Sequence, residues 1–262
     1  MIKKFTLVLI FFISALSSCK KTTETPAPNC LQTKVTIDNS SNSDVILYDS
    51  KNNVSKYIRT LSGSIITSEF TYNANGQVIS AVYNDPDQNY IINYTFTYNS
   101  KGNMVKSVTI DNSSNTEYTT FEYTNNNKPL KETKSDGTYI RYEYDANGNN
   151  AIKEFKKDYS KEYLNFEFTK FDDKKFSLVY FNNPAVLFTI NDDLSAYIFS
   201  NNLLGVKEYK SSGILYSETT TDYQYNPQSL ITHFTETIKE FDSKGIVIKT
   251  TTDGSKFEYN CK

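Results

Sequence analysis

The chain has 262 residues, among them 21 Tyr and 17 Phe, no Trp, one His and three Cys. Its 28 basic and 30 acidic residues nearly cancel, which excludes the basic footprint of a nucleic-acid binder. Abundant Tyr, Phe, Thr and Asn favour strands and turns over helices, and the length suits one large all-β domain or two small ones.

The first segment carries an address. Lys3 and Lys4 form a charged start, and Phe5 to Ala15 is an apolar run too short to span a bilayer comfortably. Leu16-Ser17-Ser18-Cys19 follows and resembles a bacterial lipobox, in which cleavage leaves the Cys as the lipidated first residue. The resemblance implies a signal peptide over residues 1–18 and lipidation at Cys19. Loss of the peptide removes Lys3 and Lys4, leaving 26 basic against 30 acidic residues. Lys20 and Lys21 after the Cys resemble the sorting signals of outer-membrane lipoproteins, which implies the outer membrane, on either its periplasmic or its outer surface. Residues 19–29 are polar, carry Pro26 and Pro28, and read as a lipidated Cys with an extended tether.

Cys30 opens the folded part and Cys261 nearly ends it. In the oxidising compartment that export implies, the simplest reading is a disulfide joining the ends of a single domain over residues 30–262.

Between them an aromatic–polar–aromatic triplet recurs: Phe70-Thr71-Tyr72, Phe96-Thr97-Tyr98, Phe121-Glu122-Tyr123, Tyr142-Glu143-Tyr144, Phe166-Glu167-Phe168, Tyr223-Gln224-Tyr225 and Phe257-Glu258-Tyr259. Strand alternation puts both aromatics of a triplet on one face and its polar residue on the other. Turns follow, such as Asn73-Ala74-Asn75-Gly76, Asn99-Ser100-Lys101-Gly102 and Asp145-Ala146-Asn147-Gly148. Asn or Asp opens each turn through its own backbone, and Gly accepts the positive φ before the returning strand. A repeat of about 24 residues is therefore two strands, and the chain extrapolates to roughly 16 to 20 antiparallel strands.

Tyr142 to Asn149 (YEYDANGN) resembles the YD or RHS-type repeats of bacterial exported proteins. With the lipobox, the whole resembles a family of Bacteroidota outer-membrane lipoproteins built from YD-like hairpins, which has no assigned activity. The expected fold is all-β: a long antiparallel meander in one curved or coiled, partly barrel-like sheet. Polar positions on the second face, including Thr71, Glu122, Arg141, Glu143 and Glu167, speak against a lipid-facing barrel, yet an aromatic face turned to lipid around a charged lumen would show the same alternation; the lipobox is what favours a tethered sheet.

The repeat breaks between residues 172 and 215, where an irregular or helical insertion is expected near 184–204. Asn191 or Asp192 is the expected cap of a helix through residues 193–199, and the insertion is expected to plug the aromatic face.

Chemistry is sparse. His233, the only histidine, lies in a strand-like stretch without a Gly-x-Ser-x-Gly elbow. In residues 145–149 Gly comes where a hairpin needs it and not at the EF-hand position. No catalytic residue, metal or cofactor is expected, and a carboxylate hydrolase would rest on abundance of acids alone. The expected function is a membrane-tethered lipoprotein with a structural or interaction role, its partners being the membrane through the anchor and a glycan or protein. The alternative is a ligand-binding lipoprotein of an outer-membrane uptake system, holding a glycan or apolar molecule on Tyr72, Tyr98, Tyr123 and Tyr144.

Overall fold

The computed structural model describes residues 30–175, 183–191 and 198–261. Among them sixteen strands form one closed antiparallel barrel in which each strand pairs with its neighbours in sequence. The first eight are β1 (Cys30–Ile37), β2 (Ser43–Tyr48), β3 (Val54–Leu61), β4 (Ser64–Tyr72), β5 (Val78–Asp85), β6 (Tyr90–Tyr98), β7 (Met104–Asp111) and β8 (Thr116–Tyr123). The rest are β9 (Pro129–Lys134), β10 (Tyr139–Tyr144), β11 (Ala151–Lys157), β12 (Glu162–Lys175), β13 (Asn201–Tyr209), β14 (Leu215–Tyr225), β15 (Ile231–Phe241) and β16 (Val247–Cys261). Closure removes the free edges that an open meander would expose.

The local chemistry of the turns builds the hairpins. Asn73 Oδ1 accepts from the backbone N–H of Asn75 at 2.9 Å and of Gln77 at 3.1 Å, and Gly76 takes φ 76°. Where Gly is missing, Asn52 (φ 64°) and Asn127 (φ 60°) take the same left-handed conformation. In these hairpins the ladder slips by one residue just before the last Tyr of the strand, between Leu47 and Tyr48, Thr71 and Tyr72, Thr97 and Tyr98, Glu122 and Tyr123, and Glu143 and Tyr144. A type I turn closed by a left-handed residue produces such a bulge. These turns share one end of the barrel with Cys30 and Cys261, here called the base; the opposite rim is the mouth.

The inner face holds the core. Ile46, Val54, Tyr57, Phe70, Val78, Tyr94, Phe96, Met104 and Phe121 pack against a helix, α1 (Pro184–Asn191), whose Ala185 to Phe188 are fully buried. Phe188 meets Phe121 edge-on at 5.3 Å and Tyr94 at 6.5 Å. The expected insertion is therefore present and lies on the aromatic face. The helix described there, α1, precedes the segment expected as a helix over 193–199. Asn183 caps it, its Oδ1 accepting the Ala185 N–H at 3.1 Å, and Pro184 takes the first turn, where its missing N–H costs nothing. The 192–197 part of the expected helix lies outside the described residues.

The outer face carries charge in alternation. Glu143, Lys153, Glu167, Lys207, Glu218 and Lys239 stand opposite one another in register across β10 to β15. Each such pair contributes a few tenths of a kcal/mol to about 1 kcal/mol. Beside this row, the Arg141 guanidinium lies 3.9 Å over the Phe155 ring and grips Glu162 at 2.7 and 2.8 Å. Arg141, with Tyr139, holds the Glu162 carboxyl down to about 2 despite an opposing desolvation. A depressed carboxyl stabilises the fold above its ordinary range, and the gain is lost as pH falls through the folded value. Glu162→Gln should therefore lower the melting temperature at pH 7, and the deficit should vanish by about pH 2. A deficit independent of pH would contradict the ionic reading.

β1 and β16 close the barrel, and Cys30 pairs with Cys261 across them as a disulfide. The two residues are 231 positions apart, so in the chain-entropy model the bridge contributes up to about 5 kcal/mol. Reduction or Cys261→Ala should lower the thermal midpoint and slow migration on non-reducing gels; identical migration with and without reductant would contradict the bridge.

Candidate functional site

Four tyrosines singled out by the repeat, Tyr72, Tyr98, Tyr123 and Tyr144, stand in one belt at the base. Their rings are half-buried against the core, and each hydroxyl donates to the backbone of the preceding hairpin. The acceptors are the carbonyls of Val54 at 2.8 Å, Val78 at 2.8 Å, Met104 at 2.6 Å and Pro129 at 2.5 Å. Tyr259 does the same to Ile231 at 2.8 Å. Tyr48 belongs to the belt as well, donating to the Gln32 carbonyl at 2.7 Å. The triplet pattern misses it because Ile46 replaces the first aromatic, but its position just before the Asp49 turn matches that of Tyr72 before Asn73. Burial raises the phenols of Tyr72, Tyr98 and Tyr144 far above their ordinary range, and pushes Tyr259 up to about 12.

Cys19, the expected lipidation site, lies outside the described residues; Cys30 and Cys261 are joined, as above.

The open aromatic surface lies elsewhere, toward the mouth. A cavity of about 640 Å³ is bounded by Tyr83, Tyr90, Ile92 and Tyr94 on β5 and β6, by Thr109 and Asp111 on β7, by Asn115, Thr116 and Glu117 beyond it, and by Thr189 and Ile190 of α1. Tyr83 and Tyr90 meet edge-to-face at 6.4 Å, and Tyr90 is 40% exposed. Burial, reinforced by the Asp85 charge, raises the Tyr83 phenol. Both Asp111 oxygens are committed to their turn: Oδ1 accepts the N–H of Ser113 at 2.8 Å and of Asn115 at 2.9 Å, and Oδ2 accepts Asn115 Nδ2 at 2.8 Å. The helix runs along the barrel, because Asn183 and Pro184 line a smaller recess with Gln77, Tyr98 and Tyr123 at the base.

His233 is not an isolated strand residue. Its Nε2 lies 2.6 Å from Asp38 Oδ2, and Lys256 Nζ approaches Asp38 Oδ1 at 3.3 Å. The Asp38 N–H donates to the Gly254 carbonyl at 2.8 Å. A side chain at Gly254 would meet Asp38 Oδ2 at 2.6 Å and the Phe234 carbonyl at 2.9 Å, so only Gly admits this contact. The cluster fastens the β1–β16 seam toward the mouth, as the disulfide does at the base. Among the described residues no group of three or more His, Cys, Asp or Glu is placed to hold a metal ion.

A closed antiparallel barrel, assembled from tyrosine-clasped hairpins and filled by its own insertion, is thus the class of protein defined here. Residues 27–172 match the Teneurin YD-shell family model, and the chain belongs to that family. In fold it is similar to a porin-like protein from Bacteroides uniformis, with a TM-score of 0.59 and 16% identity over 87% of this chain and 96% of that one. A porin-like protein from Bacteroides vulgatus matches with a TM-score of 0.40 and 11% identity over 87% of this chain and 98% of that one. A chain of the Photorhabdus luminescens Tc holotoxin pore matches with a TM-score of 0.34 and 11% identity, covering 80% of this chain and 11% of that one. No curated protein matches the sequence.

The clasp has a measurable cost of removal. Tyr98→Phe keeps the ring but leaves the Val78 carbonyl without its donor, and should destabilise the barrel by about 1 kcal/mol in urea. Tyr118, outward-facing and 44% exposed, is the control. Tyr118→Phe should change stability by less than about 0.5 kcal/mol. Equal effects at the two positions would contradict a structural role for the hydroxyl.

Proposed function

We propose that this chain is an exported lipoprotein of the Bacteroidota type, anchored through Cys19 to the outer membrane, whose plugged barrel has a structural or interaction role without catalysis. The observation that carries this reading is how the aromatic repeat is used. The recurring tyrosines bind one hairpin to the next, so the repeat is spent on building a wall. The alternating charges on the outer wall of β10 to β15 suit water and not acyl chains. A barrel with a wet outer wall needs a separate attachment, and acyl chains at Cys19 supply it. Lys20 and Lys21 favour the outer membrane as its destination. Cys30 begins β1 at the base, so a tether over residues 20–29 turns the mouth away from the bilayer.

A second reading is favoured by the cavity beside α1. Its exposed Tyr90 and mixed lining suit capture of a small molecule, the role considered above for a glycan or apolar ligand, with Tyr83 and Tyr90 as the open aromatic surface. A pore, which the name of the Bacteroides uniformis relative suggests for that protein, fits less well with a buried helix inside the lumen.

The anchor is tested by expressing the full chain and its Cys19→Ala variant in a Gram-negative host fed an alkyne fatty acid. The parent should take up label and sediment with membranes; the variant should lose the label and become soluble. A variant that stays in the membrane through carbonate washing would overturn the tethered reading in favour of an integral barrel.

A further inference from the structure

The lining of the mouth-side cavity restricts what it can hold. Among the described residues, Asp111 and Glu117 are on its wall and no Lys or Arg is. Arg59, close enough to influence Tyr83, is held by Asp44 at 3.1 and 3.4 Å and donates to the Tyr57 hydroxyl at 2.7 Å. The local field is therefore negative, which disfavours carboxylates, phosphates and sulfates.

The wall also has an excess of acceptors. Asp111 is saturated by its turn and contributes charge more than contact. Glu117 makes no hydrogen bond or ion pair with the described residues, so its carboxylate is free to accept from a ligand. The last turn of α1, at Thr189 and Ile190, brings the negative end of the helix dipole to the same space, with no basic residue there to offset it. Among the described residues, the side-chain donors on the wall are hydroxyls and the Asn115 amide, one N–H of which Asp111 already takes. A neutral sugar needs donors and acceptors in comparable number, whereas an ammonium group is all donor. The exposed ring of Tyr90, braced by Tyr83, adds an aromatic face of the kind that attracts a cation.

We infer that the cavity is a binding site for a small organic cation, its ammonium group on Glu117 and its flank against Tyr90. This rests on the ligand-binding reading of the cavity and is independent of the membrane anchor.

The test is isothermal titration of the full chain at physiological salt with spermidine, maltotriose and decanoate as cationic, neutral and apolar probes. Spermidine should bind and the other two should not. Glu117→Gln should weaken spermidine roughly tenfold, the size of one charge-assisted contact. Tyr90→Leu should weaken it severalfold, and Glu117→Gln should leave the melting curve unchanged because its side chain is exposed. Binding of maltotriose or decanoate in preference to spermidine would leave a ligand site but overturn the cation. Spermidine bound equally well by Glu117→Gln would overturn the site, and no binding of any probe would overturn the inference and the ligand-binding reading together.

Discussion

The barrel depends on one recurring hydrogen bond, from a tyrosine hydroxyl just before the base turn of one hairpin to the carbonyl just after the base turn of the preceding one. Hairpins form locally, from Asx turns and left-handed residues, and would by themselves give a row of weakly coupled ribbons. The clasp couples neighbours 18 to 20 residues apart, as in Tyr72 to Val54 and Tyr98 to Val78. It also fixes register, because a slip of one residue would carry every inward aromatic to the outer face. The bulge before each Tyr is part of the same device, since it aims the ring at its acceptor as the strand enters its turn. Individually these bonds are modest; their effect comes from repetition around the base.

A sixteen-stranded barrel is wide, and a lumen lined by Phe, Tyr and Met would be costly to leave wet. The insertion resolves this by placing Val186, Leu187 and Phe188 against the aromatic side, each side chain contributing roughly 1.5–3 kcal/mol on burial. Phe199 fills a second position, edge-on to Phe168 at 4.8 Å. The start of α1, at Asn183 and Pro184, lies at the base, and its last turn, at Thr189 and Ile190, reaches the mouth-side cavity. Clasped tyrosines thus stand at the base of one inner face, and the exposed Tyr90 and Glu117 at its mouth.

Much of this was legible in the residues. The triplets, their turns and the strand count follow from alternation and turn chemistry, which are local. The Cys30–Cys261 pairing was legible from position at the two ends of the domain. Features that depend on distant parts of the chain were not. Nothing near Asp38 announces a partner 195 residues away at His233, and only Gly254 marks the close approach. The insertion near 184–204 was legible from the break in the repeat, but α1 itself was not, because Ala185 to Ile190 reads as a buried strand and packing against Phe121 decided its form; Asn183-Pro184 is its local signal. The belt drew attention to Tyr72, Tyr98, Tyr123 and Tyr144, yet the exposed ring is Tyr90, outside any triplet. Counting alternate residues back from buried Tyr94 would have put Tyr90 on the inner face near a loop.

Spectrophotometric titration of the tyrosines tests the clasp most directly, because burial raises the phenols whose hydroxyls are held on the neighbouring carbonyls. The account predicts that the belt ionises only as the barrel unfolds, at a pH well above the ordinary phenol value of about 10. The sign follows from raised folded values, whose stabilisation is present below the ordinary value and lost as pH climbs through the raised one. A single reversible stage near 10 for all the tyrosines, without unfolding, would contradict the clasp.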